Sequence, residues 1–358
     1  MSQQAAPGSR AGEGLPAATE QQRKIADPAL QGSGLRGNLA ALDLGTNNCR
    51  LLVARPEGEG FVIVDAFSRI VRLGEGLAAT GRLSDAAIER TISALSVCAD
   101  KLRRRRVVLA RSVATEACRQ AANGAEFVAR VYDETGIQLD IISTREEARL
   151  AVLGCQSLLE PGDGPALIFD IGGGSTELAL LGDGPGNSGI VDWESAPWGV
   201  VSLTEAVGNH EDSAEGRAAA YAAMRETMRK AFAPFAGRLP ADTTVRLLGT
   251  SGTVTTLATV FLGLPRYDRA AVDGLVVPAA EMRAIASGLA GMSMAERRGL
   301  PCIGDERADL VVAGCAILES ILDIWPADRL GVADRGIREG ILRSLLDSNA
   351  LKHGRRRP

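Results

Sequence analysis

Ala166-Leu167-Ile168-Phe169-Asp170-Ile171-Gly172-Gly173-Gly174-Ser175-Thr176-Glu177-Leu178-Ala179-Leu180-Leu181 is the stretch on which the fold turns. An apolar run ends in an acid, a glycine-rich turn follows, and a second apolar run leads away. Short apolar runs bounded by turn residues read as the two strands of a hairpin. The same design stands about 125 residues earlier, in Leu39-Ala40-Ala41-Leu42-Asp43, then Gly45-Thr46-Asn47-Asn48, then Arg50-Leu51-Leu52-Val53-Ala54. Strand, acidic-glycine turn and strand, returning once, predict an internal duplication.

Glycine leaves backbone N–H groups unhindered and lets the chain approach a phosphate closely. An acid at the strand end can hold Mg²⁺, directly or through water. Asp43 and Asp170 are the two such acids. Neither loop is a Walker loop, because no Gly-Lys-Ser/Thr follows. Neither is a dinucleotide fingerprint, because a strand follows the glycines where that motif needs a helix. One copy alone reads best as an ordinary β-turn; two copies after matching apolar strands favour phosphate binding. A third loop, Gly249-Thr250-Ser251-Gly252-Thr253, follows the strand pattern Val245–Leu248 and precedes an apolar helix. Its amides suit an anion, and a plain helix cap explains the residues equally well.

Outward from these loops, residues 1–37 are rich in Ala, Gly, Gln, Ser and Pro without periodicity, which predicts a disordered tail. A further strand is expected at Phe61–Val64 and a helix capped by Ser84, with Ile88, Ile92, Leu95, Ala99 and Leu102 on one face. Arg106–Ala110 reads as a buried strand, Phe127–Tyr132 as part of a helix stopped by Gly136, and Ile137–Ile141 as a strand. Helices are expected from Thr144 through Leu159, over residues 216–236 and from Glu306 to Ile324. Leu330–Asp334 and Arg335–Leu346 close the pattern, and residues 348–358 read as a basic tail. These divisions give an N-terminal domain at 38–150 and a C-terminal domain at 151–347. Arg103 to Arg106 invites a polyanion track, but charges ending a helix more often form a solvated terminus that suits its dipole.

The 358 residues suit two domains. Net charge is −4, from 40 Lys and Arg against 44 Asp and Glu, which argues against a nucleic-acid binder. Any polyanion must be gripped locally. Six cysteines without a C-x-x-C pair, and no secretory signal, fit free thiols in the cytoplasm. With only two histidines a zinc site is not expected, and a general base is more readily a carboxylate than an imidazole. No apolar run is long enough to span a bilayer.

With the loops placed, the chain resembles the exopolyphosphatase and guanosine pentaphosphate phosphohydrolase (Ppx/GppA) family, of the actin–hexokinase–Hsp70 superfamily. The matching motifs are A-L-D-L-G-T-N at 41–47, A-T-E-A-C-R at 114–119, I-S-T-R-E-E-A-R at 142–149, F-D-I-G-G-G-S-T-E-L at 169–178 and A-D-R-G-I-R-E-G at 333–340. The resemblance implies an α/β fold of two duplicated actin-like (ribonuclease H-like) domains with a cleft between them. It implies Glu147 as catalytic base, Glu177 as a second acid near the attacking water, and Asp170 as a magnesium-associated aspartate. Thr46, Asn47, Gly172, Gly173, Gly174 and Ser175 would line the phosphate path, and Arg119 would bind phosphate.

Read without the resemblance, Glu147 belongs to a capping box, Thr144-Arg145-Glu146-Glu147, and Arg119 to a helix surface. Glu146 can instead partner Ser143, which leaves Glu147 for the cleft. Where relatives carry a cysteine after a glycine near the second hairpin, Trp198-Gly199-Val200 has valine. Longer relatives append a helical HD domain, so a short two-domain form is expected here. The resemblance further implies a homodimer acting on inorganic polyphosphate or guanosine pentaphosphate with Mg²⁺. Readings from other classes are a polyphosphate–nucleotide phosphotransferase and a non-catalytic alarmone sensor.

Overall fold

The structure, a computed structural model, describes residues 37–58, 60–182, 189–208, 213–238, 245–305 and 307–354. The tail expected over 1–37 lies outside them except for Gly37, as do residues 355–358 of the basic tail.

Five strands form the first sheet: β1 Asn38–Leu44, β2 Asn48–Glu57, β3 Gly60–Ile70, β4 Val107–Ala114 and β5 Leu139–Ile141, in the order β3-β2-β1-β4-β5. The second holds β6 Ala166–Ile171, β7 Thr176–Leu181, β8 Ile190–Ala196, β9 Arg246–Thr250, β10 Val276–Pro278 and β11 Arg329–Ala333, in the order β10-β11-β9-β6-β7-β8. Read from its far edge, β8-β7-β6-β9-β11 repeats the first sheet, and β10 is an added antiparallel edge. In both, a hairpin's first strand runs antiparallel to its partner and parallel to the next strand in the sheet. The duplication is structural, and the α/β fold is the duplicated actin-like one.

Burial explains the sequence pattern. β1 and β6 are covered on both faces, so they are nearly continuous apolar runs. β4 departs from expectation: only Ser112–Ala114 are fully buried, while Val107–Leu109 are partly exposed and Ala110 is open. Its first half runs out of the turn at the arginine-rich helix end, and its second half enters the core beside the site.

The helix Thr144–Cys155 links the halves. Leu150 and Ala151 pack with Leu39, Ala41 and Leu52 of the first sheet, and Val152 and Cys155 pack with Ile168, Ala179 and Leu248 of the second. The closing helix Ile337–Gly354 returns to the first sheet through Ile341, Leu342 and Leu345. It continues past residue 348, where a basic tail was expected, and the sequence division after residue 150 falls within the linking helix. The two helices cross at backbone distance. A Cβ on Gly154 would stand 2.0 Å from the Gly336 carbonyl, and one on Gly340 would stand 1.9 Å from that of Leu150.

The helix expected from Glu306 begins at Val311, and Glu306 lies outside the described residues. The fully buried Arg297 takes the Ala308 carbonyl at 2.9 Å, holding the preceding turn out of the helix. Among the described residues no helix is long and apolar enough to cross a membrane.

Candidate active site

The carboxyl ends of β1, β4, β6, β9 and β11 meet at a cleft between the sheets, and its walls are the loops that follow them. Loops at strand carboxyl ends are where open α/β sheets bind ligands.

The two hairpin turns are built alike. Gly45 N–H donates to Asn48 O at 2.9 Å, and Gly172 N–H donates to Ser175 O at 3.0 Å. Their carbonyls are claimed from behind. Thr46 O accepts from Gly74 N–H (2.9 Å) and Asn47 O from Val71 N–H (2.9 Å), while Gly172 O accepts from Val200 N–H (3.0 Å) and Gly173 O from Val201 N–H (2.8 Å). Among the described residues the amides of Thr46, Asn47, Gly173 and Gly174 have no acceptor, which leaves them to an anion. The Val200 N–H, where the resemblance leads one to expect a cysteine, is taken by the Gly172 carbonyl and holds the turn. The turns also touch: a Cβ on Gly173 would lie 3.0 Å from Thr46 Cβ, and one on Gly174 would lie 2.7 Å from Thr46 Oγ1.

The third loop adds a helix N-terminus. Thr250 precedes the helix Ser251–Phe261, but its hydroxyl donates to the Arg335 carbonyl at 2.6 Å and does not cap it. Ser251 sits at φ 87°, a left-handed conformation costing about 1–3 kcal/mol outside glycine. Its hydroxyl bonds the Ile171 carbonyl at 2.6 Å, which helps hold it there. Thr250 to Thr253 line the cleft, so the helix amides suit an anion better than the plain-cap reading does.

Of the acids that line the cleft, Asp43, Glu147, Asp170 and Glu177 have raised pKa values. Ser143 caps the linking helix by accepting from Glu146 N–H at 3.2 Å, and the Glu146 side chain pairs with Arg111 (2.8 Å) and Arg149 (2.7 Å). The Thr144-based capping box therefore does not form, and Glu147 is released to the cleft, buried. Burial and then the neighbouring Glu177 push its pKa well above the ordinary value, against the pull of Arg119. Glu177 is raised to about 7, by burial first and Asp170 second, although hydroxyls of Ser175 (2.6 Å) and Ser195 (3.1 Å) donate to it. Asp170 is raised to about 6 by burial and by Asp43, and burial also raises Asp43 against the pull of Arg50.

Arg119 behaves differently from its expected role. Its guanidinium donates to Glu147 (3.0 Å), to Glu116 (2.9 Å) and to the Ile142 carbonyl (2.7 Å), and it does not line the cleft. Burial opposes its charge, but Glu147 and Glu116 hold it charged. It supports Glu147 from behind.

The cleft cations are Arg50, Arg307, Arg335 and Arg338. Arg307 donates to Thr256 Oγ1 at 2.7 Å and Arg335 pairs with Asp273 at 2.7 Å. Arg50 and Arg338 make no hydrogen bond or ion pair among the described residues. Burial, and then Arg50, lower the Arg338 pKa while Glu339 opposes them, so an anion between these two arginines relieves a real cost. Sequence reasoning assigned none of the four. Arg50 was findable, because it stands seven residues after Asp43 as Glu177 stands seven after Asp170. Arg307, Arg335 and Arg338 needed the fold, since they arrive from the far end of the chain.

Asp43 and Asp170 suit a hard cation. Asp43 Oδ1 and Asn47 Oδ1 are buried without a hydrogen-bond partner. Mg²⁺ takes one or two carboxylates and fills its shell with water and phosphate oxygens. Among the described residues no three His, Cys, Asp or Glu side chains converge into a closed cage.

Taken together, the arrangement can seat a chain of phosphates on free amides and arginines and present its end to buried carboxylates. Known proteins are similar to this chain over most of its length. An exopolyphosphatase 2 of Mycobacterium tuberculosis is 33% identical over 321 residues, covering 86% of this chain and 98% of that one. A guanosine-5'-triphosphate,3'-diphosphate pyrophosphatase of Aeromonas salmonicida is 30% identical over 316 residues, covering 87% of this chain and 60% of the longer relative. The crystal structure of an Aquifex aeolicus Ppx/GppA family member superposes with a TM-score of 0.71 at 29% identity, covering 87% of this chain and 98% of the other. Residues 52–349 match the Ppx/GppA phosphatase family, and the chain belongs to it.

Proposed function

We propose that this chain is an exopolyphosphatase that removes terminal orthophosphate from inorganic polyphosphate by attack of water. The observation that carries the reading is what one cleft brings together: the free amides of both hairpins, Arg50 and Arg338 without an ion pair among the described residues, and the buried carboxylates Glu147 and Glu177. A polyphosphate terminus seated on those amides and arginines meets the carboxylates.

Water attacks the terminal phosphorus and the bond to the bridging oxygen breaks, leaving the chain one phosphate shorter. Phosphoryl transfer needs alignment and charge neutralisation more than covalent help. Free amides of the two hairpins and of residues 251–253 receive the terminal phosphate oxygens. Glu147 takes the proton from water, and Arg119 orients it. A base works best with a pKa near the operating pH, and the Glu147–Glu177 pair holds a proton into the neutral range. Mg²⁺, when held by Asp43 and Asp170, would neutralise phosphate charge. A homodimer in the cytoplasm, without nucleic-acid or membrane partners, is part of the same reading and rests on resemblance and charge.

Guanosine pentaphosphate is the second substrate reading, supported by the Aeromonas salmonicida relative and by the shared cleft chemistry. Phosphate release from long polyphosphate, short polyphosphate and guanosine pentaphosphate with Mg²⁺ tests both. Phosphate release from polyphosphate above that from the guanosine compound, lost on chelation by EDTA, is expected; stronger turnover of the guanosine compound overturns the first reading. If added ADP receives the terminal phosphoryl group of the chain to give ATP in place of free phosphate, water is not the acceptor.

A further inference from the structure

β11 ends at Ala333 and the closing helix starts at Ile337, so only Asp334-Arg335-Gly336 join them, and all three line the cleft. Backbone groups in so short and partly buried a loop need partners. They come largely from one place outside the cleft. Asp273 accepts from Asp334 N–H at 3.0 Å with one oxygen and from Arg335 Nε at 2.7 Å with the other. Arg269 donates to the Asp334 carbonyl at 3.1 Å, contacts the Asp334 carboxylate at 3.0 Å, and donates to Glu339 at 2.7 Å. Glu339 spends its second oxygen on Gly336 N–H at 3.0 Å. Glu339 is the acid next to Arg338 in sequence, and it is almost fully buried. With both its oxygens so engaged, Glu339 makes no ion pair with Arg338, whose guanidinium lines the cleft without a hydrogen bond or ion pair among the described residues.

We propose that Arg269 and Asp273 are positioning residues that fix the Asp334–Gly336 loop and keep the Arg338 guanidinium free for a phosphate chain. The inference rests on the phosphate-chain reading above. Neither residue lines the cleft, so each acts through the arginines and not on the reacting atoms. A displaced loop weakens capture of the chain while Glu147, on another element, stays in place. The expected mark is therefore on KM and not on kcat.

The test compares Asp273→Ala, Asp273→Asn and the parent chain on inorganic polyphosphate with Mg²⁺, with thermal unfolding alongside. Asp273→Ala is expected to raise KM about tenfold with kcat within about twofold and Tm within a few degrees, the scale of a lost charge-assisted hydrogen bond. Asp273→Asn should recover much of the difference, because its amide oxygen can still accept from Asp334 N–H. An unchanged KM in Asp273→Ala overturns the proposal. So does a fall in kcat that tracks a lost Tm, which marks a merely structural residue. If the parent releases no phosphate, the proposed function fails instead. Calorimetric titration with sodium tripolyphosphate then decides the loop question alone, equal affinities of parent and Asp273→Ala overturning it.

Discussion

The two hairpins share strand order, turn length and a terminal acid, yet they differ at one cross-strand position. Asp43 pairs in register with Arg50, and Asp170 pairs in register with Glu177. In the first hairpin the acid meets a cation that opposes the rise burial gives its pKa; in the second the facing acid, Glu177, is raised by burial and by Asp170. Duplication therefore gave two turns of one build, and one changed side chain sets them apart. In the proposed function the first hairpin serves charge recognition and the second proton handling.

The largest effect expected is on the second hairpin's side. Glu147→Gln should lower kcat by about 10²–10⁴-fold with KM little changed, the usual contribution of a general base. Glu177→Gln removes the charge that helps raise Glu147. The acidic limb of the kcat profile should then move to lower pH, as read from phosphate-release rates between pH 5 and 9. An unmoved limb would refute the coupling.

The same asymmetry reaches stability. Glu177 rises from 4.5 to about 7 and Asp170 from 3.8 to about 6, with burial the first cause in each. For a raised pKa, the stabilisation is fully present below the unfolded value and is lost as pH climbs through the folded one. Without divalent metal, unfolding free energy should fall between about pH 4 and 7, with roughly 3 kcal/mol attributable to Glu177. Urea melts in EDTA across that window check it, and Glu177→Gln should flatten the slope. A flat parent curve would mean that these carboxylates keep ordinary pKa values.

The first hairpin is broken more gently. Arg50→Met should raise KM for polyphosphate about tenfold, the scale of one charge-assisted contact, with a smaller change in kcat. Added salt should shrink the difference, since screening weakens what the arginine contributes. A kcat loss without a KM change would place Arg50 in the chemistry and erase the contrast with Glu177.

Much of this was legible in the sequence because it is local. An apolar run, an acid and glycines in order define a hairpin, and their return defines the repeat. Glu147 was legible only through family likeness, since its own neighbours spell a helix cap; Ser143 taking the cap is a choice made by tertiary packing. Arg119 was misplaced for a related reason. Its motif says that it is near phosphate chemistry, but only the fold shows Glu116 and Glu147 sharing its guanidinium. Arg307, Arg335 and Arg338 all lie more than 260 residues beyond Gly45 of the first hairpin, and their convergence on it comes only with the fold.

The smallest expected effect separates the turns themselves. A Cβ on Gly45 would meet nothing closer than the Asn48 carbonyl at 3.6 Å, an ordinary contact, and no positive φ demands glycine there. On Gly174 a Cβ would stand 2.7 Å from Thr46 Oγ1 and 3.1 Å from Glu116 Cγ, in the seam where the turns nest. Gly45→Ala should therefore change stability by less than about 1 kcal/mol, whereas Gly174→Ala should lose about 1–3 kcal/mol by overpacking. Chemical denaturation of both variants measures the gap. Thr46→Ser would not relieve Gly174→Ala, because the nearest atom is the hydroxyl that serine retains; Thr46→Ala would, at the expense of phosphate contact. Recovery of stability in that double variant, with activity still low, would show that the glycines of the second turn are there to admit the side chains of the first.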